Sequence, residues 1–441
     1  MFTSSLTLSH VCFFSPVLFL SKFHLCSSPE DISQMTSTIL RDAARLKPLL
    51  SLFPRLEEVS YAFAYGSAVF EQRLLLGNSS VHQANPNFAI KKAPPPPPER
   101  TMIDLVLAVD RPLEWHRENL SLNRAHYSGA MRALGPRWIA SAQQHFGAKI
   151  FYNTLVEVPG GLSDLDQDQN NRKDQSPQLI KYGVISTADL LNDLLDWETL
   201  YIAGRLHKPT LLLHQAAENV DLANALQMNT ASALHAALLL QAERFTEEEL
   251  YLSIAGLSYS GDFRMTFGED RNKVAKIVRP QVAAFRSLYG PLLASDLLKD
   301  LVSWSPASGH YHQNTSPTAT LWHLNLLPKT VQHGLCREWL AANTTSSTLR
   351  KSALERLDLD DLLRRLAFDL TYRSYLKAAI AAIVFRSSWT QSVKGLLTAG
   401  LSKSMLYSLA KVRKMVKGGA KQEVLKPSAS SSSPKSGTSS P

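Results

Sequence analysis

The sequence predicts an α+β fold: a mixed β-sheet with helices, followed by a mainly helical domain and a C-terminal amphipathic helix. Three observations support this. A short apolar strand in YAFAYGSAVF at 61–70 runs into a Gly-Ser turn, and a second apolar strand, MIDLVLAVD, follows at 102–110. After residue 187 the apolar residues recur at helical spacing. At 441 residues, 44% of them apolar, the chain is long enough for two folded units.

The Gly-Ser turn has the residues that a triphosphate site needs. Gly66 lets a phosphate approach the backbone, and the Ser67 hydroxyl and the N-terminus of a following helix supply donors and positive potential. Most Gly-Ser pairs are ordinary turns, so the pair by itself is weak. The acidic strand that follows strengthens the prediction, because Asp104 would hold a divalent cation against the same triphosphate.

Several blocks of sequence resemble those of the mitochondrial CDP-diacylglycerol synthase family, the translocator assembly and maintenance proteins of the nucleotidyltransferase superfamily. The resemblance covers roughly 46–400, with the blocks in the family's order. The blocks are YGSAVF at 65–70, DLVLAVDRP at 104–112, WH and EN within 115–119, HYS at 126–128, KYGVIS at 181–186, DW with LYIAGRLHKP within 196–209, and IAGLSYSGDFRM at 254–265.

The resemblance implies a nucleotidyltransferase-fold sheet and a phosphatidate cytidylyltransferase. Such an enzyme makes CDP-diacylglycerol and pyrophosphate from CTP and phosphatidic acid with Mg²⁺, and feeds mitochondrial cardiolipin and phosphatidylglycerol synthesis. The implied location is peripheral, on the matrix side of the inner membrane. By resemblance, the expected site residues are Asp104 and Lys181 for catalysis, Asp104 for the metal, Tyr65, Gly66 and Ser67 for CTP, and Arg205 and Lys208 for phosphatidate. His207, which clusters with these two cations beside Tyr201, is a further candidate for the lipid phosphate.

The metal site is incomplete in the sequence. The superfamily usually places a second carboxylate two residues after the first, on the same face of the strand, but that position is Val106. Asp110 also lies on that face, yet it is about 20 Å further along the strand and cannot share one ion with Asp104. We therefore expect another carboxylate or additional waters to complete the site.

Each expected site residue also has a structural interpretation. Lys181 begins a strand and fits a solvated edge lysine, whereas RLHK at 205–208, beside Tyr201, fits a solvated helix end. The WH pair at 115–116 fits base recognition or a packed aromatic beside a satisfied histidine. We expect GDFRM at 261–265 to form a structural turn at the mouth of the site.

Positive charge is concentrated near the C-terminus. The net charge is +9, and no Asp or Glu occurs from 370 to 422, so the rest of the chain is about neutral. A basic stretch at one end predicts a single anionic surface, such as a membrane, and not nucleic acid. The three cysteines are far apart, which disfavours a disulfide framework or a structural zinc site.

We expect a basic amphipathic helix at 391–422 to lie on that membrane, with apolar residues on one stripe and cations elsewhere around the helix. A core helix flanked by solvated lysines is the alternative. The cations expected to bind the membrane are Lys394, Lys403, Lys411, Arg413, Lys414 and Lys417.

The remaining segments are assigned by composition. Residues 1–45 are an N-terminal extension in which the arginine-containing stretch after Met35 fits a transit peptide or a core helix. A catalytic domain is expected at 46–190, a mainly helical domain at 191–390 and a disordered tail at 423–441. Inserted loops are expected at 77–100 and 160–178, paired strands at 150–158 and 179–185, helices at 187–195, 220–242, 247–255, 271–289 and 354–385, N-caps at Thr187 and Thr246, and a loop at 303–320.

Two other functions remain open. A nucleotidyltransferase of this kind could transfer to RNA, a protein hydroxyl or an antibiotic, and a scaffold of the same fold could be a non-enzymatic inner-membrane assembly factor. Joint retention of Gly66, Ser67, Asp104 and Lys181 argues against a scaffold. The acid-free basic C-terminal segment favours a membrane lipid as the acceptor.

Overall fold

The computed structural model describes residues 29–69, 102–158, 178–267, 272–344 and 358–399. The strands are β1 (Val59–Tyr65), β2 (Ile103–Val109), β3 (Ile150–Val158), β4 (Gln178–Ser186), β5 (Leu211–Gln215), β6 (Arg244–Phe245), β7 (Val302–Ser305) and β8 (His310–Gln313). The helices are α1 (Pro29–Leu46), α2 (Pro112–Leu122), α3 (Gly129–His145), α4 (Thr187–Asp196), α5 (Ala203–Leu206), α6 (Val220–Leu240), α7 (Glu247–Gly256), α8 (Arg264–Phe267), α9 (Lys273–Val278), α10 (Val282–Leu293), α11 (Pro317–Asn325), α12 (Lys329–Asn343), α13 (Leu359–Ala367) and α14 (Tyr372–Ala399).

Five strands form a mixed sheet in the order β3-β4-β2-β1-β5. The central pair, β2 and β4, is parallel, whereas the other neighbours are antiparallel. The two strands predicted on either side of the second insertion pair directly with each other as β3 and β4. The predicted α+β class and the mixed sheet are therefore confirmed.

The sheet is buried on both faces, which explains why its central strands read as almost continuous apolar runs. Phe63 and Val106 belong to a core that extends into the helical region. On the other face, Leu107 belongs to a second core that includes Leu46 and Leu49. One face of the sheet thus meets the helical region, and this face carries the site described below.

Capping residues set several helix starts. Thr246 is the N-cap of α7, as predicted, and with Glu249 it forms a reciprocal capping box. For α4 the cap lies one residue earlier than predicted, because the Ser186 hydroxyl accepts from the backbone amide of Asp189. Thr187 instead becomes the first helical residue.

Three segments differ from the prediction. The predicted helix at 354–385 is divided into α13 and α14, which are separated by residues 368–371. The predicted loop at 303–320 contains β7, β8 and the start of α11, and β6, β8 and β7 form a small antiparallel sheet in that order. The predicted helix at 271–289 is divided into α9 and α10 by a 3₁₀ turn at Arg279–Gln281. Pro280 lies in that turn and lacks the amide needed for a continuous helix.

The long helix α14 crosses the predicted boundary between residues 390 and 391 without a break. Its last residues are therefore the continuation of a helix that packs against α12 in the helical region. Residues 400–422 and the predicted disordered tail lie outside the described residues, as do nearly all of the two predicted insertions.

The basic stretch after Met35 lies in α1, which ends at Leu46. Arg41 and Arg45 are exposed, whereas Leu46 and Leu49 are fully buried, so the core begins at the end of this helix. A targeting role for the preceding residues stays a prediction. In the described ranges, the helices are too short or too polar to cross a membrane.

We predict opposite stability effects for two glycine-to-alanine substitutions. At Gly183 in β4, a Cβ would lie 2.5 Å from Ile150 Cδ1 and 2.6 Å from Tyr152 Cε1, so Gly183→Ala should lower the free energy of unfolding by about 1–3 kcal/mol. At Gly395 in α14 an added Cβ meets nothing within 4 Å, so Gly395→Ala should raise it by up to about 1 kcal/mol. Urea unfolding measures both. Equal effects would contradict the close packing of β3 against β4.

Candidate active site

Three expected functional residues lie in one row across the sheet. The strand register pairs Tyr65 of β1 with Asp104 of β2, and Asp104 with Lys181 of β4. Directly paired residues share a face of the sheet. The row lies on the face that carries Phe63 and Val106, and therefore faces the helical region.

The Gly-Ser turn lies beside this row. Gly66 has a φ of +94°, in the left-handed region that favours glycine. A Cβ at Gly66 would be 3.5 Å from Asp104 Oδ2, so the backbone of the turn and the carboxylate face the same small volume. Ser67 is exposed. Residues 67–69 form a turn, and the helix predicted to follow them lies outside the described residues.

Asp104 and Lys181 form an ion pair, with 3.2 Å between Lys181 Nζ and Asp104 Oδ1. Their side chains are 23% and 17% exposed, so the pair is only partly screened by solvent. Lys181 Nζ also lies 4.5 Å from the ring centroid of Tyr152 on β3. The lysine is thus held between a carboxylate and an aromatic ring, unlike a solvated edge lysine.

The residues at this row fit a magnesium ion that is shared with a triphosphate. Asp104 directs Oδ2 towards the turn and Oδ1 towards Lys181. Across the described ranges, no group of three or more His, Cys, Asp or Glu residues could hold a metal ion. One carboxylate is nevertheless sufficient where substrate phosphates and water supply the remaining oxygens, which is the usual arrangement for Mg²⁺.

Asp110 is engaged elsewhere, as the strand length predicts. It follows the far end of β2, where its Oδ1 accepts from Ser60 Oγ at 2.5 Å and from Thr187 Oγ1 at 2.6 Å. Asp110 therefore joins β1, β2 and the start of α4, and it does not complete the metal site.

The helical region supplies the opposite wall of the site. Arg205 of α5 stacks on two tyrosines, with its Cζ 4.0 Å from the ring centroid of Tyr201 and 5.3 Å from that of Tyr65. Because Tyr65 belongs to the row on the sheet, this guanidinium lies beside that row. A cation over a tyrosine face is attracted by the ring, and arginine makes this contact more often than lysine.

Lys208 follows α5 and belongs to the same wall. Its Nζ donates to Gly204 O and to Ser258 Oγ, the latter at 2.7 Å, and lies 5.2 Å from the ring centroid of Tyr259. Burial, reinforced by the nearby Arg205 charge, lowers the pKa of Lys208 to about 7. An anion beside this ammonium would favour its protonated form.

Arg264 is the third cation of this wall. Asp262, almost fully buried, accepts two side-chain hydrogen bonds at its Oδ2, from Arg264 Nη2 at 2.6 Å and from Nε at 3.1 Å. Burial by itself raises the pKa of Tyr201, but the Arg205, Arg264 and Lys181 charges outweigh it and lower that pKa to about 8. Three cations from both sides of the site therefore lie close enough to Tyr201 to lower the pKa of its hydroxyl.

The charge of the site suits two phosphate-bearing substrates. Its cations are those of the sheet row and of the helical wall, four in number, whereas the carboxylates named above, Asp104 and Asp262, are two. When Lys208 is protonated, the site therefore has an excess of two positive charges in a partly buried space, where anions bind more strongly than in water.

A family model described as "Phosphatidate cytidylyltransferase, mitochondrial" matches residues 46–414. The chain belongs to this family. The match includes the sheet row, the Gly-Ser turn and the whole helical wall.

This chain matches relatives from distant animals over nearly their full length. Proteins named "Phosphatidate cytidylyltransferase, mitochondrial" are 41% identical in Danio rerio, covering 84% of this chain and 94% of the relative, and 39% identical in Mus musculus, covering 85% and 95%. The Drosophila melanogaster protein of the same name is 40% identical, with 82% and 96% covered.

Of the site residues expected from the family resemblance, the structure brings together Tyr65, Gly66, Asp104 and Lys181 on one side and Arg205 and Lys208 on the other. Ser67 follows in the same turn, with its side chain exposed. Their individual roles stay predictions. The solvated helix end, considered for 205–208, does not describe the stacked Arg205 or the hydrogen-bonded Lys208.

Two histidines in the family's motifs are structural. His207 is fully buried, its Nε2 lies 3.0 Å from Asn229 Oδ1, and burial lowers its pKa to about 3. His116 is also fully buried, between Tyr127 and the side-chain amide of Gln143, and burial lowers its pKa to about 4. Neither histidine is placed to contact a phosphate or a base.

The prediction that Lys394 binds a membrane is wrong. Its side chain is 1% exposed, and its Nζ donates to Gln143 O at 3.2 Å and Phe146 O at 2.6 Å. Burial lowers the pKa of Lys394 to about 7. The helix wheel assigned this lysine to a solvated face because it could not show that backbone carbonyls from α3 lie there. The other five predicted membrane cations lie outside the described residues.

The sequence did not single out Tyr152, and it left Arg264 in a turn without a mechanism. Only the strand register identifies Tyr152 as a neighbour of Lys181. Its partner on β4 is Gly183, and the bulge between Asn153 and Val156 shifts the pairing further along β3. Arg264 did carry a local signal: a buried aspartate two residues earlier is a plausible partner for a fixed guanidinium. The turn is therefore part of the site's wall, beyond the structural role expected of it.

Proposed function

We propose that the chain is a phosphatidate cytidylyltransferase that joins CTP and phosphatidic acid into CDP-diacylglycerol and releases pyrophosphate. One observation carries the proposal. The row of Tyr65, Asp104 and Lys181 lies beside a glycine turn, and a group of cations from the helical region faces it. The names of its relatives support the same reaction. The alternatives, a scaffold or an enzyme with another acceptor, have no observation in their favour.

In this reaction a phosphate oxygen of phosphatidate attacks the α-phosphorus of CTP. A new phosphorus–oxygen bond forms as the bond between the α-phosphorus and its bridging oxygen breaks, and pyrophosphate leaves with the electron pair. Little covalent chemistry is asked of the protein, so catalysis depends on position and charge neutralisation. The two opposing walls meet that requirement.

The sheet row holds the nucleotide. The backbone at Gly66 and the hydroxyl of Ser67 bind the β- and γ-phosphates, and Tyr65 forms the adjoining wall of the CTP site. Asp104 would hold Mg²⁺, which would supply positive charge to neutralise the leaving pyrophosphate. Lys181, fixed beside Asp104, places a second positive charge at the triphosphate.

The helical wall holds the lipid phosphate. Arg205 and Lys208 bind the phosphate of phosphatidate and orient its attacking oxygen, and the Arg264 charge adds to theirs. A guanidinium stacked on tyrosine keeps one orientation and loses little freedom when it binds phosphate. A monoester phosphate with up to two charges matches the excess of two cations.

The protein acts in the mitochondrion, peripherally on the matrix face of the inner membrane. The relatives' printed names support the compartment, and the acid-free stretch at 370–422 supports an anionic surface as the partner. Leu396 and Leu397, near the end of α14, are 51% and 60% exposed, so the helix presents apolar side chains where the basic segment begins. Nucleic acid is not a partner in this proposal.

We predict that Asp104→Asn lowers turnover by several orders of magnitude, because it removes the charge that anchors Mg²⁺ while keeping the side chain's shape. Ser67→Ala should cost less, since the backbone donors of the turn remain. The measurement is CDP-diacylglycerol formed from labelled CTP, phosphatidic acid and Mg²⁺.

Asp110→Asn is the matched control on the same strand. It weakens hydrogen bonds to Ser60 and Thr187 and should lower the melting temperature more than the turnover of folded enzyme. Near-normal turnover in a well-folded Asp104→Asn enzyme, or equal losses for both variants, contradicts the assignment. A labelled product on RNA or protein, with none on lipid, identifies another acceptor.

We also predict that truncation after Ala399 abolishes sedimentation with cardiolipin-containing vesicles, because it removes the cations at 403–417. The truncated chain keeps the buried contacts of α14 and should still turn over a soluble short-chain phosphatidate. Vesicle binding that survives truncation at both low and high salt contradicts the membrane assignment.

A further inference from the structure

The helix α14 contacts both walls of the active site through side chains that the proposed reaction does not use. Its polar stripe of Gln391, Lys394 and Thr398 is buried against the catalytic domain, with exposed fractions of 6%, 1% and 6%. Buried polar side chains are costly unless they are hydrogen bonded. The partners of this stripe therefore show what the helix holds in place.

Gln391 acts as a partner for the edge strand β3. Its Oε1 accepts from the amide of Ala148 at 2.9 Å, and its Nε2 donates to the carbonyl of Ile150 at 3.2 Å. One side chain thus makes the pair of hydrogen bonds that a neighbouring strand would make. The absence of a side chain at Gly147 leaves room for the Gln391 amide, because a Cβ there would lie 2.7 Å from Gln391 Oε1. The start of β3 is held from outside the sheet.

Lys394 and Thr398 hold α3 at its two ends. The ammonium of Lys394 donates to carbonyls at the C-terminus of α3, where a helix leaves acceptors unpaired and carries partial negative charge. At the N-terminus of α3, Ser128 Oγ donates to the carbonyl of Thr398 at 2.7 Å. Because α3 leads into β3, these contacts reinforce the hold on that strand.

The position of β3 affects the sheet row through Tyr152. Tyr152 lies two residues beyond Ile150, and its ring forms the surface against which Lys181 is held. The strands β3 and β4 pack closely there, because a Cβ on Gly183 would approach Tyr152 Cε1 to 2.6 Å. A shift of β3 therefore moves the tyrosine against Lys181 and disturbs its pairing with Asp104.

The middle of α14 contacts the opposite wall. Ala381 packs on the turn at Gly261, where φ is +79° and a Cβ would lie 2.4 Å from Ala381 O. Trp389 meets the ring of Phe263 edge-on at 5.2 Å between centroids. Gly261 and Phe263 flank Asp262, the residue that fixes the guanidinium of Arg264.

We propose that Gln391 and Trp389 are positioning residues for opposite walls of the active site. Gln391, assisted by Lys394, fixes Tyr152 and through it Lys181, whereas Trp389 fixes the turn that presents Arg264. The inference rests on the proposed function, which assigns these walls to CTP and phosphatidate. A single helix, which precedes the basic stretch at 403–417 in the sequence, thereby sets the geometry of both substrate subsites.

The test uses the full chain with dihexanoyl phosphatidate at concentrations where it is monomeric, so that membrane binding does not contribute. Gln391→Leu should lower kcat about tenfold and raise KM for CTP, with KM for phosphatidate unchanged. Trp389→Ala should raise KM for phosphatidate about tenfold, with KM for CTP unchanged. Thr390→Val is the matched control. Among the described residues the Thr390 hydroxyl bonds to carbonyls of α14 itself, so this variant should keep wild-type constants.

All variants are assayed at a temperature at which circular dichroism shows them folded. Wild-type constants in folded Gln391→Leu, or equal changes in both KM values for both variants, overturn the inference and leave α14 a merely structural helix. If Gln391→Leu does not fold, Trp389→Ala decides, and an unchanged KM for phosphatidate overturns the inference. A wild-type chain that forms no CDP-diacylglycerol contradicts the proposed function itself.

Discussion

The ion pair between Asp104 and Lys181 is the interaction on which the rest of the site depends. It arises from the parallel register of β2 and β4, which places the two residues side by side, and from the glycine turn that follows the neighbouring β1. Carboxylate oxygens are ligands that Mg²⁺ prefers, and those of Asp104 lie between the Lys181 ammonium and the glycine turn. The same pair lies on the sheet face towards the helical region, which carries the second group of cations.

The two walls differ in how they hold their cations. On the sheet, Lys181 is fixed by a carboxylate and a tyrosine ring, whereas across from it Arg205 is stacked between tyrosines and Arg264 is held by a buried aspartate. Each cation is therefore oriented before substrate binds, which reduces the freedom lost on binding. Charge neutralisation at fixed positions is the main requirement of phosphoryl-group transfer.

Local patterns in the sequence were sufficient for much of this structure. Two strand-like stretches on either side of an insertion predicted the pairing of β3 with β4. Thr246 as an N-cap predicted the start of α7, and strand length alone separated Asp110 from Asp104. The burial of Lys394 was not predictable in this way. A wheel of α14 assigns polar residues to solvent, but their acceptors come from α3 and β3, about 240 residues earlier in the chain. Tyr152 depends in the same way on long-range register.

Equilibrium binding of CTP as a function of Mg²⁺ tests the central claim most directly, because it separates the metal site from turnover. If Asp104 holds the ion against the triphosphate, Mg²⁺ should tighten CTP binding to the wild-type chain by about tenfold or more, and this tightening should be absent from Asp104→Asn. Calorimetric titration with and without Mg²⁺ measures it. Equal tightening by Mg²⁺ in both proteins would show that the ion is held elsewhere and would contradict the account.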